Sequence, residues 1–392
     1  MSTFTPLENQ VLAAIDRDAD ELIRISRNIH ANPELGYQEF KSSALLKAAL
    51  KKRGFAVEDA AADIETAFVA RAGQNAGPTI GILAEYDALP GLGHACGHNL
   101  IGTAAIGAGL ALREVIDALP GKIQVIGTPA EEGGGGKVLM TQRGVFERVD
   151  AAMMFHPGDE TAIRTASLAA TTCEVHFYGK SAHAAAAPEE GINALDAVIQ
   201  TFNGINALRQ HLRSDTRIHG IITHGGQAPN IVPDYAAAKF RIRAADRKYA
   251  DEALEKFKRC AEGAALATGA RLEFKIIESS RYDNMISNNA MESLFADNLA
   301  RLGIPSQINL SGGGLGSTDM GNVSQVTPAI HPFLKIASRG TAPHTDGFRE
   351  AANSDEGQLA MLNAAKAMAL TALALIQKPE LLAAAKQEFG NR

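Results

Sequence analysis

The chain has 392 residues, room for two domains of ordinary size, and at 46% hydrophobic and 21% charged it has the balance of a globular protein with a sizeable core. Its formal net charge of −6 supplies no basic field for nucleic acid, and no apolar run is expected to reach the roughly 18 residues of a membrane helix. Met1–Phe4 opens no signal peptide, and Cys96, Cys173 and Cys260 are too few and too scattered for a disulfide framework, so a reducing, cytoplasmic setting is expected.

The apolar spacing of Val11, Ile15, Leu22, Ile23 and Ile25 predicts an amphipathic helix from about Leu7 to Asn28, with Pro33 beyond it. Phe40 to Lys52 reads as a second helix ending near Gly54. Strands and helices then alternate. Val69–Arg71, Thr79–Glu85 and Ile123–Gly127 read as strands, and Leu100–Leu119 as a helix rich in small residues, among them Gly102, Gly107 and Gly109. This alternation predicts an α/β catalytic domain, with a central, mainly parallel sheet flanked by helices.

Near Ser167 the pattern changes. Thr171–Tyr178 alternates with period two, as a strand with one wet face does. A helix (Gly191 to Leu212), two strands (His219–His224, Tyr235–Ala244), a charged helix (Lys248–Leu266) and a strand (Arg271–Ile277) follow. The order strand–helix–strand–strand–helix–strand is the ferredoxin-like α+β pattern. The expected division is a discontinuous catalytic domain, 1–168 and 281–392, with an inserted lid or dimerisation domain at 169–280. The last long helix is expected over Glu356–Ile376.

The chemistry collects where strands end. Gly93-His94-Ala95-Cys96-Gly97-His98 follows the Thr79–Glu85 strand and the turn Asp87–Pro90. Cys96 offers a thiolate and His98 an imidazole, both ligands for a borderline-soft metal. Glu131-Glu132 follows the next strand, His156 a third, and His344 lies far downstream. Any one of these histidines, taken alone, reads as an ordinary core residue; together with the acids they read as a metal site assembled by the fold. Of two neighbouring carboxylates, a metal hydrolase needs one on the metal and one to move a proton. His94 also has ligand spacing. Two other motifs fall short: Gly133–Lys137 lacks the phosphate-loop pattern, because Val138 follows the lysine, and Gly91–Gly97 has its third glycine one position late for a dinucleotide fingerprint.

The run Glu85-Tyr86-Asp87-Ala88-Leu89-Pro90…His94-Ala95-Cys96-Gly97-His98-Asn99 resembles the signature of the co-catalytic-metal amidohydrolases and peptidases. That family includes aminoacylases, glutamate carboxypeptidases, indole-acetyl-amino-acid hydrolases and p-aminobenzoyl-glutamate hydrolases. Ile29–Gly36, Pro129–Glu132, Gly179–Ala184, Gly225–Pro233 and Ser317–Gly321 extend the resemblance over nearly the whole chain. Asn99 with Glu85-Tyr86-Asp87 is most similar to the p-aminobenzoyl-glutamate hydrolase and aminoacylase-like dipeptidase branch.

The resemblance implies two divalent metal ions per subunit, zinc by default and manganese, nickel or cobalt as alternatives, held by Cys96, His98, Glu132, His156 and His344. His94 falls outside that implied set. It implies Glu131 as general base and acid, Asp87 as a residue orienting a ligand, and His183 as a group that reaches into the partner subunit's site. Asn230 and Arg243 would bind substrate, with Arg241 as a rival on the same strand face. The expected activity is metal-dependent hydrolysis of an amide bond in an N-acyl or N-aroyl amino acid or a dipeptide, by a homodimer paired through the inserted domain. Two readings from other classes stand beside it: a non-catalytic metal-containing sensor, against which Glu131 speaks, and a nicotinamide oxidoreductase, against which the missing ribose-binding acid speaks.

Overall fold

The structure is a computed structural model that describes residues 4–74, 76–310 and 316–391; Met1–Thr3, part of the stretch read for a leader, lie outside them. The chain divides into two compact units. One comprises 1–166, 285–315 and 319–392; the other comprises 167–284 and 316–318. The boundary expected at 281 moves outward because the last strand of the inserted unit runs on from Arg271 to Tyr282, and the one expected at 169 falls at Ser167. Residues 316–318, expected in the first unit, pack with the second.

The first unit is built on a six-stranded sheet. Its order is Ala56–Asp59, Phe68–Gly73, Lys122–Gly127, Thr79–Ala84, Ala151–Met153 and Ala329–Ile330. The last four strands run parallel to one another, and the first two pair antiparallel at one edge. Parallel register places Ala84 beside Gly127 and Ile82 beside Met153. The C-terminal ends of these three strands therefore share one edge of the sheet, the place where such sheets carry their ligands.

Helix His98–Arg113 is buried along its length from His98 to Leu112 and packs on both the sheet and helix Asp355–Gln377. Small residues allow this: a Cβ on Gly102 would stand 2.6 Å from the carbonyl oxygen of Glu85. The expectation that no segment is apolar enough for a membrane needs correction. Asp355–Gln377 passes by length and composition, since Lys366 interrupts the run without much lowering its average; 72% of its most apolar window is buried within this protein. A smaller four-stranded sheet in the same unit has the order Gln307–Asn309, Ala162–Arg164, Phe333–Lys335, His156–Gly158.

Two helical expectations also change. The N-terminal helix is two, Pro6–Arg17 and Ala19–Ala31, broken at Asp18. The Asp18 carboxylate takes guanidinium groups from Arg17 and from the distant Arg53, at 3.2 and 2.7 Å, a tertiary tie that helical periodicity does not register. The helix expected over Leu100–Leu119 starts earlier and stops at Arg113, giving way to a short 3₁₀ turn, Ile116–Ala118.

The inserted unit has a four-stranded antiparallel sheet in the order Arg271–Tyr282, Ala169–Tyr178, Tyr235–Ala244, Arg217–His224. Helices Ala194–Leu208 and Arg247–Thr268 cover one face, enclosing Phe177, Phe240, Phe257 and Val198 in a core of its own. This is the ferredoxin-like arrangement.

Candidate active site

The first unit brings Cys96, His98, Glu131, Glu132, His156 and His344 together. Donor atoms of Cys96, His98 and His156 all lie within 4.8 Å of one another; so do those of Cys96, Glu132 and His344, and those of His98, Glu131 and Glu132. The first two clusters share Cys96, and the third ties His98 to Glu132. His94 belongs to none of the three; it is buried near His30, with ring centroids 6.1 Å apart.

Each donor is oriented by a neighbour. His98 opens its helix, fully buried, and its Nδ1 sits 3.0 Å from Asp87 Oδ1, which turns Nε2 toward the cluster. His156 sits beside Phe333 in the small sheet and stacks on it, with centroids 4.7 Å apart. Its Nδ1 lies 2.7 Å from the carbonyl oxygen of Pro157; with that nitrogen donating, the Nε2 lone pair is free to face Cys96 Sγ at 3.5 Å. The His344 backbone N–H donates to the Ala95 carbonyl at 2.9 Å, and its Nε2 lies 3.2 Å from Glu132 Oε1.

These residues fit a pair of metal ions. His98 Nε2 is buried and makes no hydrogen bond, nor does the nearby Glu85 Oε2, 3.4 Å away. Burial pushes the Cys96 thiol up, reinforced by the Glu132 charge, so only a cation would hold it as thiolate. Burial also raises the Glu131 carboxyl well above its usual range, helped by Glu132. For Glu132 burial acts upward too, but the His344 hydrogen bond and the His98 charge outweigh it and hold the carboxyl low. The two neighbouring acids are driven apart, one toward a proton carrier and one toward an anionic ligand.

Neighbouring side chains on an extended strand face opposite ways. They converge here because Ala130 has φ 60°, a left-handed turn costing about 1–2 kcal/mol in a residue with a side chain. The turn is fastened from several sides. Asp87 Oδ2 accepts from Glu132 N at 2.9 Å, Glu39 Oε1 from Ala130 N at 2.8 Å, and Asp319 Oδ2 from Lys137 N at 2.9 Å. Tyr37 Oη donates to the Gly134 carbonyl at 2.6 Å. The Lys137 ammonium is fully buried between Glu85 Oε1 (2.5 Å) and Asp319 Oδ1 (2.8 Å), whose charges keep it protonated. It is therefore committed to these two acids and not offered to a phosphate.

Glu39, Tyr37, Glu85, Lys137 and Asp319 carry no role in the sequence reading. Glu85 and Asp319 stand inside quoted motifs and Lys137 in the Gly-rich run, which was the available signal; Glu39 and Tyr37 act through backbone atoms and left none.

The other expected residues lie in the inserted unit. His183 bridges Ile231, and Ala184 N donates to the Asn230 carbonyl at 3.0 Å, so His183 and Asn230 are held side by side. His183 is exposed. Its Nδ1 accepts from Ala185 N and Ala186 N at 3.3 and 3.2 Å, which leaves a neutral ring's proton on Nε2 as a donor. Arg243 donates to Ser317 Oγ at 3.0 Å, whereas Arg241 lies over the Tyr282 ring at 5.2 Å.

Residues 166–268 match the peptidase dimerisation domain of M20 proteins. The chain is 40% identical to the Xaa-Arg dipeptidase of Mus musculus over 98% of its own length and 92% of that protein. It is 31% identical to a p-aminobenzoyl-glutamate hydrolase polypeptide of Escherichia coli over 96% and 93%. In fold it is similar to a solved Bacillus subtilis protein described as a dinuclear metal-binding peptidase of the M20 family, with TM-score 0.69 and 22% identity over 92% of this chain and 99% of that one. None of these relatives lends support to the sensor or nicotinamide readings. A likeness this strong to known hydrolases, along almost the entire chain, leaves one assignment: the chain belongs to the M20 family of peptidases and amidohydrolases and is a hydrolase of amide bonds.

Proposed function

We propose that this M20 enzyme cleaves a dipeptide, or an N-acyl or N-aroyl amino acid, with a free carboxylate. The observation that carries the reading is the convergence of three donor clusters on Cys96, His98 and Glu132, with Glu131 beside them. Cys96, His98, Glu132, His156 and His344 would hold two divalent ions. Zinc suits the mixed thiolate, imidazole and carboxylate set, and manganese, nickel or cobalt are the alternatives. Bound there, the ions supply Lewis acidity and make water a nucleophile near neutral pH.

The remaining steps fall to the protein's own groups. A Glu131 oxygen takes the proton of the attacking water and returns it to the leaving amine, a task its raised pKa favours. Asp87 fixes the His98 ring and the Glu132 backbone together. His183 donates Nε2–H to the carbonyl oxygen as it gains charge. Arg243 pairs with the substrate carboxylate in a fork, and Asn230 contacts the substrate beside it.

His183 acts in the site of a second copy. Among the described residues the Arg217–His224 strand leaves one edge of its sheet unpaired, with Ile221 and Ile222 exposed, and edge-to-edge pairing there would form a two-fold dimer. A reducing cytoplasm suits the free cysteines.

The test is a panel of dipeptides and N-acyl amino acids, scored by amine release with and without a chelator. Dipeptides ending in arginine come first, because the mouse relative is an Xaa-Arg dipeptidase. Release that stops on chelation and returns with metal supports the reading; release indifferent to metal rejects it.

A further inference from the structure

Three buried carboxylates accept backbone N–H groups around Glu131 and Glu132: Glu39 from Ala130, Asp87 from Glu132, and Asp319 from Lys137 in the helix that follows. Two of them have other work: Asp87 holds His98, and Asp319 pairs with Lys137. Glu39 has none that packing explains. It caps no backbone group of the Phe40–Lys52 helix it precedes. It is 0% exposed, its Oε2 makes no hydrogen bond, and no ion pair accompanies it among the described residues. Burial, with the Asp87 charge, pushes its carboxyl up to about 7. A buried, unpaired acid is a costly way to fill space. Beside the Thr66 hydroxyl and its own backbone N–H, it makes the 2.8 Å bond to Ala130 N.

Ala130 is where the turn is strained, and it directly precedes Glu131. It is fully buried, and the chain closes on it from two sides. A Cβ on Gly36 would stand 2.9 Å from the Ala130 Cβ, and one on Gly134 only 2.6 Å away. Gly135 N donates to the Ala130 carbonyl at 2.7 Å. Without an acceptor at Ala130 N, this buried N–H would be orphaned, and the peptide would be free to relax out of the left-handed region. That relaxation would carry the Glu131 carboxylate away from His98 and Glu132.

We infer that Glu39 is a positioning residue of the hydrolytic reaction, holding Ala130 in its left-handed conformation so that Glu131 reaches the reacting atoms. The inference rests on Glu131 being the proton carrier. Glu39 touches neither substrate nor the proposed metal ligands; it acts through one backbone N–H.

Four variants test it, each measured for kcat, KM, bound metal and melting temperature. Glu39→Gln keeps an acceptor oxygen at the same reach and should keep kcat within about threefold. Glu39→Asp keeps the carboxylate but withdraws it by one methylene, and Glu39→Ala removes it. Both should lower kcat about 10- to 100-fold, with KM within about twofold and metal content unchanged, as displacement of a catalytic group by about an ångström does. Ala130→Gly added to Glu39→Asp removes the side-chain strain and should recover part of the loss. If Glu39→Ala does not fold, the Asp and Gln pair decides. Equal kcat in both, or a loss that appears in KM or metal content instead, overturns the inference. Glu131→Gln, run alongside, separates the two claims. If it is inactive while Glu39→Asp is fully active, only the role of Glu39 falls; if Glu131→Gln turns over normally, the reading of Glu131 falls and takes this inference with it.

Discussion

The Glu131–Glu132 turn and the His183–Asn230 loops are both expected to touch the same substrate, yet they are built in opposite ways. The first is part-buried and fixed from beneath by the buried carboxylates of Glu39, Asp87 and Asp319, with the Lys137 ammonium locked between two acids. The second centres on the exposed His183, held by backbone bonds and by its ring Nδ1, with Nε2–H left as a donor. A proton carrier beside two metal ions needs placement before substrate arrives, and buried charge supplies that rigidity at some expense in stability. A donor that meets substrate only when another surface closes on it has no need of a buried mount, and gains from mobility.

The largest contrast should appear in stability. Lys137→Met strands Glu85 and Asp319 as unpaired buried acids, which costs about 3–5 kcal/mol. Thermal melting of the metal-free variant should fall by about 10 °C. His183→Ala, an exposed change, should leave it within about 1 °C. Comparable losses in the two variants would erase the distinction.

His183→Ala should instead lower kcat about 100-fold or more, with metal content intact, as loss of an oxyanion donor does. It also sharpens the comparison in space. Mixing it with Glu131→Gln should restore activity toward about a quarter of wild type, because half the freely exchanged dimers would hold one intact site. Demonstrated exchange without recovery places His183 in its own chain's site, or in none.

A further effect concerns pH. Glu39 stands at about 7 in the fold against 4.5 for the free side chain. A carboxyl raised on folding favours the folded state at low pH, and that contribution is lost as pH climbs from 4.5 through 7. The span corresponds to about 3 kcal/mol. Unfolding free energies of wild type and Glu39→Gln, compared from pH 4 to 8, should therefore diverge by about that amount against wild type; parallel curves would mean that Glu39 ionises freely.

Much of this was legible in the sequence, and what was not has a common cause. The strands ending at Ala84, Gly127 and Met153 announce themselves by apolar runs, and the chemistry follows each within a few residues, so Cys96, His98, the two glutamates and His156 could be found by position. The left-handed turn at Ala130 that brings the two neighbouring glutamates to one side could not, since no spacing encodes it. Lys137 looked like an incomplete phosphate loop because the acids that claim it lie 52 positions before it and 182 after it. Glu39 was invisible for the same reason: it acts 91 residues away, on a backbone atom every residue but proline possesses. The break at Asp18 likewise answers to Arg53, not to its own helix.

The central claim is that the turn after Ala130 presents a proton carrier beside a ligand, with Glu131 and Glu132 in different roles. The most direct test is Glu131→Gln and Glu132→Gln side by side, each assayed for bound metal by equilibrium dialysis and for amine release from a cleaved dipeptide. The account predicts that Glu131→Gln keeps its metal and loses about three orders of magnitude or more in turnover, while Glu132→Gln loses metal. A Glu131→Gln enzyme that sheds metal, or one that keeps both metal and turnover, would contradict it.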